Sequence, residues 1–497
     1  MEKLMLIDAK KIRCAFITVQ TGFHSRYLLR TQILPRLKKS IEKIVIITRN
    51  SEEPYFVEEF KEENIFIERL EVEKANGFIQ THPFQRLLKI LRYFVLNGKY
   101  EMTAVDDHLS VFIKDNQSKL SFRLYKLPIV LLLVRLLRSS KRFRRLLLWT
   151  EEALYTPPLH RELFLKYRPD IIVTPSLGNI NDNAIAFIMR EAKRHHCKVI
   201  SIILGWDNPS TKGMAACYPD HIITWSDIMK QEFIEYHDFP GDMISVGGVA
   251  HFDIYYDQQK LIPRKELFKK FGLDPDMPLI LFATKSPRTY PWNPYIIELI
   301  AKAILNNEFA CPLQLLVRVH PLHFDMRNEA SRLRTTLEEY NRLKERYPFI
   351  LFHFPPILSN QLNFDMPYSD LIDLASFLKE SSILVNMFST MNLEAAIVDT
   401  PIINVAFEGD PSRRFQARQS IQYAERMVHI HRIFKTGGFR TAHDPTELIN
   451  YINNYLKKPE LDRENRKKIA DHLGGPYEIN PGIRIAECIL KSSAQLN

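Results

Sequence analysis

Short β-branched runs separated by helix-length stretches recur along this chain, and that rhythm limits its fold more than any other feature. "IRCAFITV" (Ile12–Val19), "KIVIIT" (Lys43–Thr48), "DIIVT" (Asp170–Thr174), "KVISIIL" (Lys198–Leu204) and "HIITW" (His221–Trp225) read as strands. Amphipathic segments such as Asp182–His195 lie between them. Near-continuous apolar strands alternating with helices form parallel sheets covered on both faces. After "RKELFKKFGLDPDMP" the pattern restarts with Leu279–Thr284, Leu313–Val319, Phe349–Phe354, Ser382–Met387 and Pro401–Phe407. At 497 residues the chain is too long for one hydrophobic core.

The expected class is therefore α/β, with two tandem Rossmann-like domains facing across a cleft. The boundary is placed in the polar stretch Tyr255–Arg264. Residues 1–258 form the first domain, with a basic apolar helical insertion over about 86–148. Residues 259–478 form the second domain, and 479–497 a closing helix that starts at Asn480-Pro481.

Composition narrows the function. The chain is 45% hydrophobic and 25% charged, as in an ordinary globular protein. Five scattered cysteines show no paired spacing, which predicts reduced thiols in a cytoplasmic protein and no structural zinc. The N-terminus lacks the apolar core of a signal peptide, and no eighteen-residue apolar stretch is free of charge. The formal charge of +10 is concentrated between Arg86 and Arg145, where fourteen Lys/Arg face four Asp/Glu. A local patch of this kind suits an acidic surface or substrate, whereas nucleic-acid binders spread their cations over a domain.

Ligands in doubly wound sheets bind beyond the carboxyl ends of strands, so polar residues there are the candidates. In the first domain "QTGFHSRYLL" follows Val19: Gly22 permits a tight turn, and His24 stands at a helix start as an acid, base or donor. The alternative is an ordinary strand-to-helix turn. "GWDNPSTKG" (Gly205–Gly213) follows the fourth recognisable strand. Asn208-Pro209 turns the chain, so Asp207 and Lys212 share one short loop with Trp206. A carboxylate there can take a proton from an acceptor hydroxyl, or serve its own turn.

In the second domain Lys285, Ser286 and Arg288 follow the first strand, and Arg318 and His320 end the next, in "RVHP". Cations and hydroxyls so placed suit a diphosphate, and the alternative for Lys285–Arg288 is a solvated basic turn. Ser389 and Thr390 precede a helix near Met391, with Glu394 in its first turn, which reads as an anion pocket or a capping box. Gly-rich nucleotide fingerprints are absent, against dehydrogenase and P-loop chemistry.

These residues resemble the GT-B-fold glycosyltransferases, and within them the branch of CDP-glycerol glycerophosphotransferases and capsular-polysaccharide transferases. "RVHP", "STMNLEA…DTPIINVAF" and the segment ending "VGGVAHFD" carry the likeness. Trp206 and Lys212 match that branch's Trp-His-Gly-Thr-Pro…Lys loop, while Asp207 replaces its histidine. "NMFSTMNLEA" replaces its Asp-Tyr-Ser-Ser and is closer to sugar-nucleotide transferases.

The resemblance implies transfer of a sugar from a nucleotide-activated donor to a lipid-linked or saccharide acceptor in surface polysaccharide or glycolipid synthesis. Asp207 would be the base with His24 in reserve, and Glu394 would hold donor hydroxyls. The donor phosphates would lie on Lys285, Ser286, Arg288, Arg318, His320, Ser389 and Thr390. No metal or other cofactor is expected for catalysis. The protein would be cytoplasmic and have no nucleic-acid partner, with Arg86–Arg145 either lying against an anionic membrane or forming a buried helix with a solvated cationic side. A CDP-polyol phosphotransferase and a sugar-nucleotide 2-epimerase are the alternatives.

Overall fold

The computed structural model describes residues 12–120, 122–179, 182–287, 289–324, 330–359, 361–409, 421–473 and 480–494. The chain is α/β and divides into two compact units, residues 1–251 with 475–497 and residues 252–474.

The first unit holds an all-parallel seven-stranded sheet: β1 (Cys14–Val19), β2 (Lys43–Thr48), β3 (Ile65–Arg69), β4 (Ile171–Thr174), β5 (Lys198–Ile202), β6 (His221–Thr224) and β7 (Ile244–Val246). Their order is β3-β2-β1-β4-β5-β6-β7. Every side chain of β1 and β4 is buried, as central strands covered on both faces require. β3 and β7 are the edge strands, and sequence reading missed both. Half-exposed and polar, "IFIER" and "ISV" lack the apolar continuity that marked the inner strands.

The second unit holds a six-stranded parallel sheet: β8 (Leu279–Ala283), β9 (Gln314–Arg318), β10 (Leu351–His353), β11 (Ile383–Asn386), β12 (Ile402–Val405) and β13 (Arg440–Ala442). The order is β10-β9-β8-β11-β12-β13. Again the unread strand, β13, is a short edge strand.

Unit membership follows contacts that sequence spacing cannot show. The division falls at His251–Phe252, before the expected boundary. The helix Pro481–Ala494, expected as a separate closing element, is part of the first unit. Its buried Ile485 would meet a Cβ added at Gly247 at 2.6 Å, so that glycine makes room for the returning helix. Arg36 holds the same helix by an ion pair to Glu487 at 2.6 Å.

The basic apolar insertion is helical, as expected, with helices at Pro83–Tyr93, Thr103–Asn116, Leu127–Ser139 and Lys141–Leu154. Leu88, Leu91, Val130, Val134, Leu137, Leu147 and Leu148 form a hydrophobic cluster of their own with Met214 and Tyr236. The insertion is tied to the sheet domain by buried charge. Glu151, fully buried, pairs with Arg92 at 2.5 Å and with Arg190 of the helix Asn183–Arg194 at 3.1 Å, and accepts a bond from Gln85.

Candidate functional site

In the second unit the strand order reverses between β8 and β11, and the crevice beyond those two carboxyl ends is the ligand position of open parallel sheets. Lys285 bridges it. Its Nζ donates to the Met387 carbonyl at 3.0 Å, linking the end of β8 to the end of β11. Asn293 fixes the Lys285 backbone from both sides, accepting its N–H at 2.9 Å and donating to its carbonyl at 2.9 Å. Burial pulls the ammonium down to about 8, and no carboxylate pairs with it among the described residues. A half-buried cation without a counter-ion is a seat for an anion.

His320 stands at the end of the neighbouring strand. Its N–H donates to Thr284 Oγ1 at 2.8 Å, and its Nδ1 accepts from the Leu322 N–H at 3.0 Å. That bond leaves the proton of the neutral ring on Nε2. Burial first, then the positive charges of His323, Arg318 and Lys285, push its pKa down to about 3. His320 is therefore a neutral N–H donor at ordinary pH.

The turn after β11 is built by three fully buried asparagines that sequence reading did not single out. Asn386 Nδ2 donates to Asn392 Oδ1 at 2.7 Å, Asn392 Nδ2 donates to Asn404 Oδ1 at 3.1 Å, and Asn404 Oδ1 accepts the Phe388 N–H at 2.7 Å. Phe388 has φ +47, costly for an aromatic residue, and the network holds it there. The turn then presents Ser389 and Thr390, both half-buried. Ser389 Oγ accepts the Met391 N–H at 3.2 Å, while Thr390 makes no side-chain cap bond. The helix Met391–Ile397 starts where expected.

Two expected donor ligands are otherwise engaged. Arg318, the last residue of β9, is buried and makes a two-pronged pair with Asp370, both contacts at 2.7 Å, and a third bond to His353 Nδ1. Its guanidinium joins β9 to the helix Tyr368–Glu380 and is not presented to a ligand. Glu394 accepts a short hydrogen bond from the Tyr255 hydroxyl, which ties the helix Asp253–Tyr256 to the helix Met391–Ile397. Ser286 is buried beside Lys285, and Arg288 lies outside the described residues.

In the first unit the order reverses between β1 and β4. Thr21 caps the helix Gly22–Leu28 by accepting the His24 N–H, and the Gln20 N–H donates to His24 Nδ1 at 3.2 Å. Burial pushes His24 down to about 3, so it too is neutral with its proton on Nε2. It suits a donor better than a base.

The loop "GWDNPSTKG" follows β5, the fifth strand once β3 is counted. It is separated from His24 by β4. Asp207 Oδ2 accepts from Thr211 Oγ1 at 2.9 Å inside a one-turn helix, Asn208–Thr211. A Cβ at Gly205 would meet Asn208 Oδ1 at 2.4 Å and Asp207 Oδ1 at 2.9 Å, so a side chain there would displace both. His237 Nε2 donates to the Pro209 carbonyl at 2.8 Å and anchors the loop from below. Trp206 is half-buried and Lys212 exposed.

The loop after β4 adds a group that was missed. Burial raises the Asp182 carboxyl pKa, opposed by a hydrogen bond from Ser176 and by Lys212 and Lys89. Lys89, an insertion residue, is itself lowered to about 8 by burial and by the neighbouring Arg92. Asp182 was read only as a helix start. Nothing in the sequence placed it beside two lysines from distant segments.

No family model matches the chain, and no curated protein is similar to it in sequence. Solved structures share its fold. MnaA from S. aureus, solved with UDP, matches with TM-score 0.51 and 10% identity over 98% of each chain. The UDP-GlcNAc 2-epimerase from Neisseria meningitidis, bound to UDP-GlcNAc, matches with TM-score 0.50 and 10% identity over 96% of this chain and 98% of that one. A glycosyltransferase from Rickettsia africae ESF-5 matches with TM-score 0.49 and 14% identity over 98% of this chain and 100% of that one. The chain thus has the twin Rossmann-like architecture typical of GT-B proteins.

Proposed function

We propose that the chain is a glycosyltransferase using a nucleotide-activated sugar, with the donor's diphosphate seated in the second unit on Lys285, the His320 Nε2–H and the Ser389–Thr390 turn. The observation that carries this reading is Lys285, a cation without a carboxylate partner among the described residues, fixed across the reversal point of a Rossmann-like sheet. As the glycosidic bond breaks, negative charge grows on the leaving diphosphate. Fixed donors already in place lower that barrier. The uridine nucleotides bound by the structures from S. aureus and N. meningitidis support this donor class.

The first unit would bind the acceptor, whose hydroxyl needs a proton acceptor as it attacks the anomeric carbon. The strand-end carboxylates Asp207 and Asp182 are the candidates, with His24 a hydrogen-bond donor. The acceptor class is lipid-linked or saccharide, in surface polysaccharide or glycolipid synthesis at the cytoplasmic membrane face.

A second reading, a sugar-nucleotide 2-epimerase, is favoured by the identity of the N. meningitidis structure. Against it stands the cationic apolar insertion, for which a small-molecule isomerase has no use. A CDP-polyol phosphotransferase on the same scaffold would release a nucleoside monophosphate. One experiment separates the three: nucleotide sugars and CDP-polyols are incubated with and without polyprenyl-phosphate saccharide acceptors. Acceptor-dependent release of nucleoside diphosphate is expected. An epimerised donor formed without acceptor, or release of CMP, would replace the proposal with the corresponding alternative.

A further inference from the structure

The helix Leu127–Ser139 is apolar on both sides. Val130, Val134 and Leu137 face inward and are buried, as a surface helix requires. Ile129, Leu131, Leu132 and Leu136 point outward, with Ile129 and Leu132 each 57% exposed. The next helix continues the surface with Phe143, Leu146 and Trp149, the last 64% exposed. Leu124 and Tyr125, in the π-helical segment Phe122–Lys126 that leads into Leu127, are also exposed. Exposed large apolar side chains gathered on successive segments, as in this ridge, mark an interaction surface, whereas scattered single ones do not.

The charge around the ridge is of one sign. From Lys119 to Thr150 the sequence holds nine Lys/Arg and no Asp or Glu. Arg138 and Arg144 are paired with Asp106 and Asp238. The other seven, Lys119, Arg123, Lys126, Arg135, Lys141, Arg142 and Arg145, are exposed. None of them has a carboxylate partner among the described residues. Beside the ridge opens a cavity of about 760 Å³, with Lys99 and Arg135 in its wall.

We infer that this ridge is a docking surface for an anionic lipid bilayer, with Ile129, Leu132, Leu136, Leu146 and Trp149 in the interface and the cations against lipid phosphates. Apolar and aromatic side chains rimmed by Lys and Arg are what the headgroup region accepts. The charge rules out a second copy as the cover, since it would set seven unpaired cations against seven more. No helix among the described residues is long and apolar enough to cross a membrane, so the contact lies in the interfacial plane.

Flotation with phosphatidylcholine vesicles, with and without about a third phosphatidylglycerol, tests the inference without any nucleotide or acceptor, so its outcome is independent of the proposed chemistry. Wild-type protein floats with the anionic vesicles only, and floats less as salt rises. L132E/W149E, altered at exposed positions, abolishes flotation while melting like wild type. R142E/R145E lowers the partition at least about 25-fold, from roughly fivefold for each cation removed. Equal flotation on neutral vesicles, wild-type flotation of L132E/W149E, or no flotation together with a dimer or an acidic protein partner that L132E/W149E disrupts, would each overturn the inference.

Discussion

Arg318 and Asp370 meet at two nitrogen–oxygen contacts of 2.7 Å inside the second unit, closing β9 onto the helix that precedes β11. Removing one partner of a buried pair leaves the other charge uncompensated, at a cost of about 3–5 kcal/mol. Arg318→Ala and Asp370→Ala are therefore expected to lower urea-unfolding stability by similar amounts. The double variant R318M/D370L should recover most of the loss. Stable R318A protein that has lost only nucleotide affinity would return Arg318 to the ligand site.

Lys285 supplies a pH test. Its ammonium, lowered to about 8, is charged at pH 7 and loses its proton as pH rises through that value. An anion favours the charged form, so nucleoside diphosphate affinity should fall by up to about tenfold per pH unit above pH 8. Calorimetric titration at pH 7, 8 and 9 checks this. Lys285→Met should weaken binding by roughly ten- to a hundredfold, from the 1.5–3 kcal/mol of a hydrogen bond to a charged group, and should flatten the pH dependence.

Acid stability should carry the signature of His237. Its Nε2–H bonds the Pro209 carbonyl, its Nδ1 is buried without a hydrogen-bond partner among the described residues, and burial lowers its pKa from 6.5 to about 4. Below pH 6.5 the unfolded chain takes up a proton that the folded ring refuses. The contribution is intact above 6.5 and is lost as pH falls toward 4. His237→Gln keeps a donor but cannot titrate, so the stability difference between pH 7 and pH 5 should shrink by about 2 kcal/mol in denaturant titrations.

The two carboxylates of the first unit can be told apart. Asp207→Asn and Asp182→Asn should both leave nucleotide affinity within about twofold, and the variant that removes the base should lose turnover by about 10²–10⁴-fold. Thr211→Val removes the two hydroxyl bonds inside the loop, to the Asp207 carbonyl and to its carboxylate, and leaves the carboxylate in place. If T211V loses as much turnover as D207N, Asp207 organises its loop and Asp182 carries the proton.

The inner strands were legible because burial on both faces writes an unbroken apolar run. The edge strands β3, β7 and β13 were not, since half of each faces solvent. Lys285, His320 and the Ser389–Thr390 turn lie at or just beyond strand ends, where the spacing pointed. Arg318 misled because its partner is 52 residues away, and local sequence cannot distinguish a guanidinium held by a distant carboxylate from one awaiting a phosphate. Asp182 stayed hidden for the same reason, its lysines arriving from an insertion and from another loop. The asparagine network was illegible because each amide, read singly, is only a polar residue near a turn.

Glu151 binds Arg92 of the insertion and Arg190 of the sheet domain at once, leaving one surplus positive charge in the interior. The basic arm therefore cannot be trimmed away as an ornament. Excising it would strand Arg190 without its counter-charge, and the domain beneath would be expected to lose cohesion with it. Arm and domain should melt in a single step, so whatever the arm grips is held at a fixed angle to the sheet rather than on a loose tether.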